Sequence, residues 1–181
     1  MTDLSNSETA LLGLLSDQPM YPYQIEQEVK NREMRFWTEL SMSSIYKLLR
    51  KLEKDGLVTC TNEISPGNRL RKLYSISNEG GKALHLKLEN LLSEPEHIRW
   101  RVDIGTYNST LLPDTKVREA LKKYRHTLEN KIKEYESLLS FLRESGCPAH
   151  RLAIAIRPIY LLKGEIQWID SYLDGYESLS R

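Results

Sequence analysis

The chain has 181 residues, of which 40% are hydrophobic and 28% charged, with 9 Gly and 7 Pro. That length suits one ordinary domain or two small ones, and the composition excludes disordered, collagen-like and low-complexity classes. The formal net charge of +1 gives no hint of a nucleic-acid partner, so such a reading must rest on local patches.

The two cysteines, Cys60 and Cys147, form no CxxC pair, which fits a reducing, cytoplasmic compartment. Residues Met1 to Glu8 show no basic stretch leading into an apolar one, so no secretory signal is expected. The apolar runs fall far short of the roughly 20 residues that a membrane span needs.

Residues 5–16 read as a helix with Ala10, Leu11, Leu14 and Leu15 on one face. A second helix is expected from Pro22 to Arg32, with Tyr21, Ile25 and Val29 turned to the core. Ser41 is placed to cap a third helix whose stripe is Ile45, Leu48, Leu49 and Leu52. Gly56 ends it, where a residue must enter the left-handed region cheaply. Two strands follow, 57–64 and 70–76, joined by the turn residues Ser65-Pro66-Gly67-Asn68. A fourth helix runs from Ser77 to Leu92 with Ala83, Leu84, Leu88 and Leu91 along one side.

Ser93-Glu94-Pro95 is the natural boundary, giving domains 1–92 and 93–181. Beyond it a long helix from Pro113-Asp114 to Ser145 carries Val117, Leu121, Tyr124, Leu128, Ile132, Tyr135, Leu138 and Leu142 in a near-heptad seam. Gly146-Cys147-Pro148 breaks it, and a second helix spans 149–175 with Pro158 near its start. Two helices alone leave apolar surface bare, so a partner chain is the expected cover. The fold class is mainly α with a small two-stranded β wing.

Catalytic signatures are missing. The four histidines fit no H-E-x-x-H spacing, and no P-loop, G-x-G-x-x-G or G-x-S-x-G occurs. Cys147 and His150 make a lone Cys-x-x-His, with no second pair to complete a metal site. No enzymatic activity, metal or cofactor is expected.

The order helix, helix, helix, hairpin is that of a winged helix-turn-helix, whose third helix enters the DNA major groove while the hairpin reaches the backbone. The polar face of the third helix offers Ser43, Ser44, Tyr46, Lys47, Arg50 and Lys51. Arg69, Arg71 and Lys72 follow at the hairpin. Residues 1–92 carry 12 basic and 12 acidic side chains, yet the positive charge gathers where a winged helix meets DNA. These nine residues are the expected DNA-binding set. Tyr46 lies at the edge of the apolar stripe, between core and phosphate.

The stretch Leu11-Leu-Gly-Leu-Leu-Ser-Asp-Gln-Pro-Met-Tyr-Pro-Tyr-Gln-Ile25 resembles the opening of PadR-type transcription factors. Ser44-Ile45-Tyr46-x-x-Leu49-x-x-Leu52-Glu53-x-x-Gly56-Leu57-Val58 resembles the recognition helix and its exit, and Arg69-x-Arg71-Lys72-x-Tyr74-x-Ile76-Ser77-x-x-Gly80 the wing. The family pattern often has Pro where Lys47 stands, so base preference does not carry over. The C-terminal half, by its layout and Gln167-Trp168-Ile169, is similar to the virulence-activator-like domain of longer members. The resemblance implies a homodimer on a palindromic operator, held by the C-terminal helices, with repression or activation and an effector pocket in some members.

Aromatic residues gather in that half, among them Tyr124, Tyr135, Tyr172 and Tyr176. An effector cleft there would use Trp100, Tyr107, Tyr160 and Trp168. The same residues also suit a dimer core. The alternative function is a winged-helix protein–protein adaptor without sequence-specific DNA binding, since fold does not fix function. A ligand-binding or catalytic helical assembly is a further rival.

Overall fold

The structure is a computed structural model and describes residues 3–179, with side chains through residue 175. The Tyr176 side chain therefore lies outside the described residues. The contacts divide the chain into Met1–His97 and Ile98–Arg181, a few residues past the expected boundary, because the extended segment after the fourth helix stays with the first unit.

The first unit contains α1 (Asn6–Asp17), α2 (Pro22–Asn31), α3 (Met42–Lys54), β1 (Val58–Ile64), β2 (Leu70–Ile76) and α4 (Asn78–Ser93). Each helix start has a local cause. The Ser5 N–H donates to the Glu8 carboxylate at 2.8 Å, and the Glu8 N–H donates to the Ser5 hydroxyl at 3.3 Å, a capping box that opens α1. Ser41 and Ser44 repeat the exchange at α3. At the other end of α3, Gly56 takes φ +72°. The Leu57 N–H then reaches the Leu52 carbonyl at 2.8 Å and the Gly56 N–H reaches that of Glu53 at 3.1 Å. This is the paired closure that a left-handed residue permits.

The core joins Leu11, Leu12, Leu14 and Leu15 of α1 to Ile25 and Val29 of α2, Ile45, Leu49 and Leu52 of α3, and Tyr74 of β2. Leu12 is fully buried where the stripe named Ala10, because α1 is packed by α2, α3, β2 and α4 together. Of the expected α4 stripe, only Leu84 is buried and Ala83 partly so. Leu88 and Leu91 are exposed, contrary to the expected stripe. The core ends at Leu84, so the later leucines find no cover in this unit.

The strands pair antiparallel, from Val58 opposite Ile76 to Ile64 opposite Leu70, and β1 starts one residue later than expected. A bond pair between backbones was not foreshadowed by any residue pattern. The Met20 N–H donates to the Tyr74 carbonyl at 2.9 Å, and the Tyr74 N–H returns to the Met20 carbonyl at 3.0 Å.

The second unit contains α5 (Arg101–Tyr107), α6 (Asp114–Glu144) and α7 (Ala153–Leu179). Gly146, at φ +69°, closes α6 as Gly56 closes α3. The α6 seam differs from expectation. Val117, Leu121 and Leu128 pack with Ile169, while Leu138 and Leu142 pack with Ala155. The seam is thus covered by α7 of the same chain. The outward apolar residues include Ile104, Tyr107 and Leu111 near α5, Phe141 on α6, and Tyr160 and Leu161 on α7.

Candidate nucleic-acid interface

Along α3, Ser43, Tyr46, Lys47 and Arg50 are exposed. Ser44 is half-buried and its hydroxyl is engaged, donating to the Ser41 carbonyl at 2.8 Å and accepting the Ser41 N–H at 2.8 Å. It is a capping group as much as a contact. Lys47 has no ion-pair partner among the described residues, and the Arg50 Nε–H leans back to the Tyr46 carbonyl at 3.3 Å.

Lys51 departs from the expected set. Its ammonium donates to the Glu8 carboxylate of α1 and pairs with Asp55 at 3.5 Å. Glu8 is only 3% exposed, and a buried carboxylate needs a counter-charge. Burial pushes the Glu8 carboxyl up, but the bonds from Lys51 and from Ser5 outweigh it and hold it below the ordinary range. The bond to Glu8 in turn raises Lys51. Lys51 therefore fastens α3 to α1, with its side chain 49% exposed.

The wing brings its cations to the same side. Tyr21, Pro22 and Tyr23 at the start of α2 meet Tyr46 and Arg50 of α3 and Leu70, Arg71, Lys72 and Tyr74 of β2 around a cleft of about 780 Å³. Four of the expected residues, Tyr46, Arg50, Arg71 and Lys72, share this cleft. Ser43, Lys47 and Arg69 are exposed but do not line it. Tyr46 falls on the open side, not the core side. Burial, followed by the neighbouring Cys60, pushes the Tyr74 hydroxyl up to about 12, so it stays neutral.

Sequence reasoning missed Tyr21, Tyr23 and Glu63. Tyr21 was expected in the core. It is half-buried, stacks on Tyr23 at 5.7 Å, and donates its hydroxyl to Glu63 at 2.5 Å. The available signal was Tyr-Pro-Tyr at a helix start, with one ring off the apolar stripe. Glu8 was also readable, because Ser5-x-x-Glu8 has capping-box spacing.

In the second unit, Trp100, Val102, Leu112, Val117, Leu121 and Tyr124 wall a cleft of about 690 Å³ that Arg99 and Arg101 also border. Of the expected effector residues, Trp100 lines it. Trp168 packs against the Val117–Ile169 core and tilts on Tyr172 at 5.7 Å. Tyr107 and Tyr160 are 88% and 74% exposed and do not line it. Burial, and then Glu165, raises the Tyr124 hydroxyl, which donates to Glu165 at 3.2 Å. Among the described residues no cluster of three His, Cys, Asp or Glu could hold a metal, and no helix is long and apolar enough to cross a membrane.

Residues 11–86 match the transcriptional regulator PadR-like family. The chain carries a PadR-like domain. It is similar to the negative transcriptional regulator PadR of Bacillus subtilis (strain 168), with 23% identity over 172 residues that cover 91% of this chain and 93% of that protein. A crystal structure of Bacillus subtilis PadR in complex with operator DNA aligns at TM-score 0.73 and 21% identity, over 92% of this chain and 97% of that one. The same regulator in complex with p-coumaric acid aligns at 0.72 and 19%, over 94% and 98%. The Vibrio cholerae virulence activator AphA aligns at 0.60 and 19%, over 96% and 99%. The family match thus runs from within α1 to within α4, and the likeness in fold covers more than nine-tenths of the chain.

Proposed function

We propose that this PadR-like transcriptional regulator is a cytoplasmic repressor that binds a palindromic operator as a homodimer. In this reading α3 enters the major groove, with Ser43 and Lys47 toward base edges, while Arg50, Arg69, Arg71 and Lys72 meet phosphates. The observation that carries it is the shared cleft. Cations from α3 and β2 converge on one surface of a chain whose net charge is only +1. The outward residues Ile104, Tyr107, Leu111, Tyr160 and Leu161 supply the apolar surface for the dimer.

The α5–α6 cleft supports an effector role. Trp100 and Tyr124 offer ring faces, and Arg99 and Arg101 suit a carboxylate. A small aromatic acid fits that chemistry, and Bacillus subtilis PadR has been crystallised with p-coumaric acid.

Operator titrations at several salt concentrations test the DNA reading. A dimer that neutralises six to ten phosphates should give a log–log slope of about −5 to −9. Affinity that does not change with salt would overturn it and leave the adaptor reading.

A further inference from the structure

Glu63 of β1 and Arg71 of β2 are directly opposed in the wing ladder. Opposite charges in that position attract one another. A direct pair would lay the guanidinium on the hairpin and cancel its charge. The side chains go elsewhere. The Glu63 carboxylate accepts the Tyr21 hydroxyl at 2.5 Å. The Arg71 guanidinium carbon lies 5.9 Å from the ring centroids of both Tyr21 and Tyr23. Those rings are stacked 5.7 Å apart and 8° from parallel.

A guanidinium over an aromatic face keeps its in-plane N–H donors free for a planar or bidentate acceptor. It has also given up part of its rotamer freedom before any ligand arrives. Pro22 fixes the backbone between the two tyrosines, and the Met20–Tyr74 backbone pair fixes the segment just before them. Arg50 and Lys72 border the same cleft, so an anion reaching Arg71 meets further positive charge.

We propose that Tyr21, Tyr23 and Glu63 form a positioning clamp that holds the Arg71 guanidinium on the tyrosine faces, unpaired with Glu63, for delivery to a DNA phosphate. The clamp rests on the DNA-binding reading above. Tyr21, Tyr23 and Glu63 are positioning residues, and Arg71 is the contact.

Two measurements separate the clamp from the reading it rests on. In the free protein, the Nε–Hε resonance of Arg71 is ring-current shifted, and Tyr23→Leu moves it toward the random-coil value. On DNA, Tyr23→Leu weakens binding by about five- to thirtyfold for two protomers, the span of exposed cation–π contacts. It leaves the salt slope unchanged, since no charge is lost. Arg71→Ala flattens the slope by about two units per dimer. In the Arg71→Ala background, Tyr23→Leu has less than a twofold effect. Tyr21→Phe keeps the ring but releases Glu63 onto Arg71, so it weakens binding and flattens the slope. An unmoved Arg71 resonance overturns the clamp. So does an undiminished Tyr23→Leu effect without Arg71, which would make the tyrosine itself the contact. A wild type without salt-dependent DNA affinity overturns the DNA reading, and the delivery step with it, while the resonance still reports whether the stack exists.

Discussion

Gly80 and Gly81 are neighbours in the first turn of α4, and alanine should act on them in opposite directions. A Cβ on Gly80 would stand 2.0 Å from the Leu57 carbonyl oxygen and 3.0 Å from Cγ1 of Ile76. Carbon–oxygen contacts of this kind settle at about 3.3–3.6 Å, so α4 must retreat by more than an ångström. Leu57 cannot give way easily, because its carbonyl already accepts the Ser77 N–H at 3.0 Å, and the Ser77 hydroxyl donates to the Gly56 carbonyl at 2.7 Å. Overpacking of this kind costs about 1–3 kcal/mol. Losing a hydrogen bond adds about 1 kcal/mol, and the helix propensity of alanine returns up to about 1 kcal/mol. The net for Gly80→Ala is a loss of about 1–3 kcal/mol, or about 2–12 °C in Tm for a chain of this size. A Cβ on Gly81 meets nothing within 4 Å, so Gly81→Ala keeps the propensity gain and raises Tm by about 2–4 °C. Thermal melts of the full chain followed by circular dichroism would show the two shifts. If Gly80→Ala melts at or above the wild type, α4 does not sit against Leu57 as described.

Glu8→Gln removes the buried partner of Lys51 and should cost about 1–3 kcal/mol in urea titrations at neutral pH. Because the folded carboxyl titrates below its ordinary range, its stabilisation is present above that range and fades as pH falls through the folded value. The gap between wild type and variant should therefore close in acid, and a gap that widens would refute the pairing. Leu128→Asp with Ile132→Asp places two charges in a seam buried within one chain and should unfold the second unit. Sedimentation showing a folded monomer instead would mean the seam faces another copy. Trp100 borders the α5–α6 cleft, so p-coumarate should change indole fluorescence in the wild type and do so less in Arg101→Ala, where a carboxylate partner is gone. Equal changes in both would place the ligand elsewhere.

Much of this architecture is written in local pattern. The α3 stripe, Gly56 and the Ser65–Asn68 turn each carry their own steric or periodic signature, so element order and the wing could be read before the structure. What escaped is set by partners far along the chain. Lys51 sits on the polar side of its helix, yet its partner Glu8 is 43 residues away, and helical spacing cannot anticipate that pairing. A heptad seam states that a helix wants cover but not whose, and here α7 supplies it. The clamp at Arg71 needs two rings and a carboxylate from α2 and β1, none of which is basic. A search for positive charge therefore found Arg71 without finding what holds it.

The tie between Met20 and Tyr74 is made by main-chain atoms alone. Side-chain replacement at either position leaves both bonds available, so an alanine scan is blind to it, and the sequence there can drift without releasing the wing. Proline at position 20 is different, because it deletes one of the two donors. The tie also sets where the hairpin can bend. The wing is tied beside Tyr74, and the Tyr21 hydroxyl ties Glu63 further out, so the Ser65–Asn68 turn lies beyond both ties. A bend beyond those ties would carry Arg69, next to the turn, further than Arg71, which lies against the Tyr21 and Tyr23 rings. In the DNA reading, a phosphate contact at Arg69 can thus adjust while Arg71 and the α3 core residues Ile45, Leu49 and Leu52 keep their places.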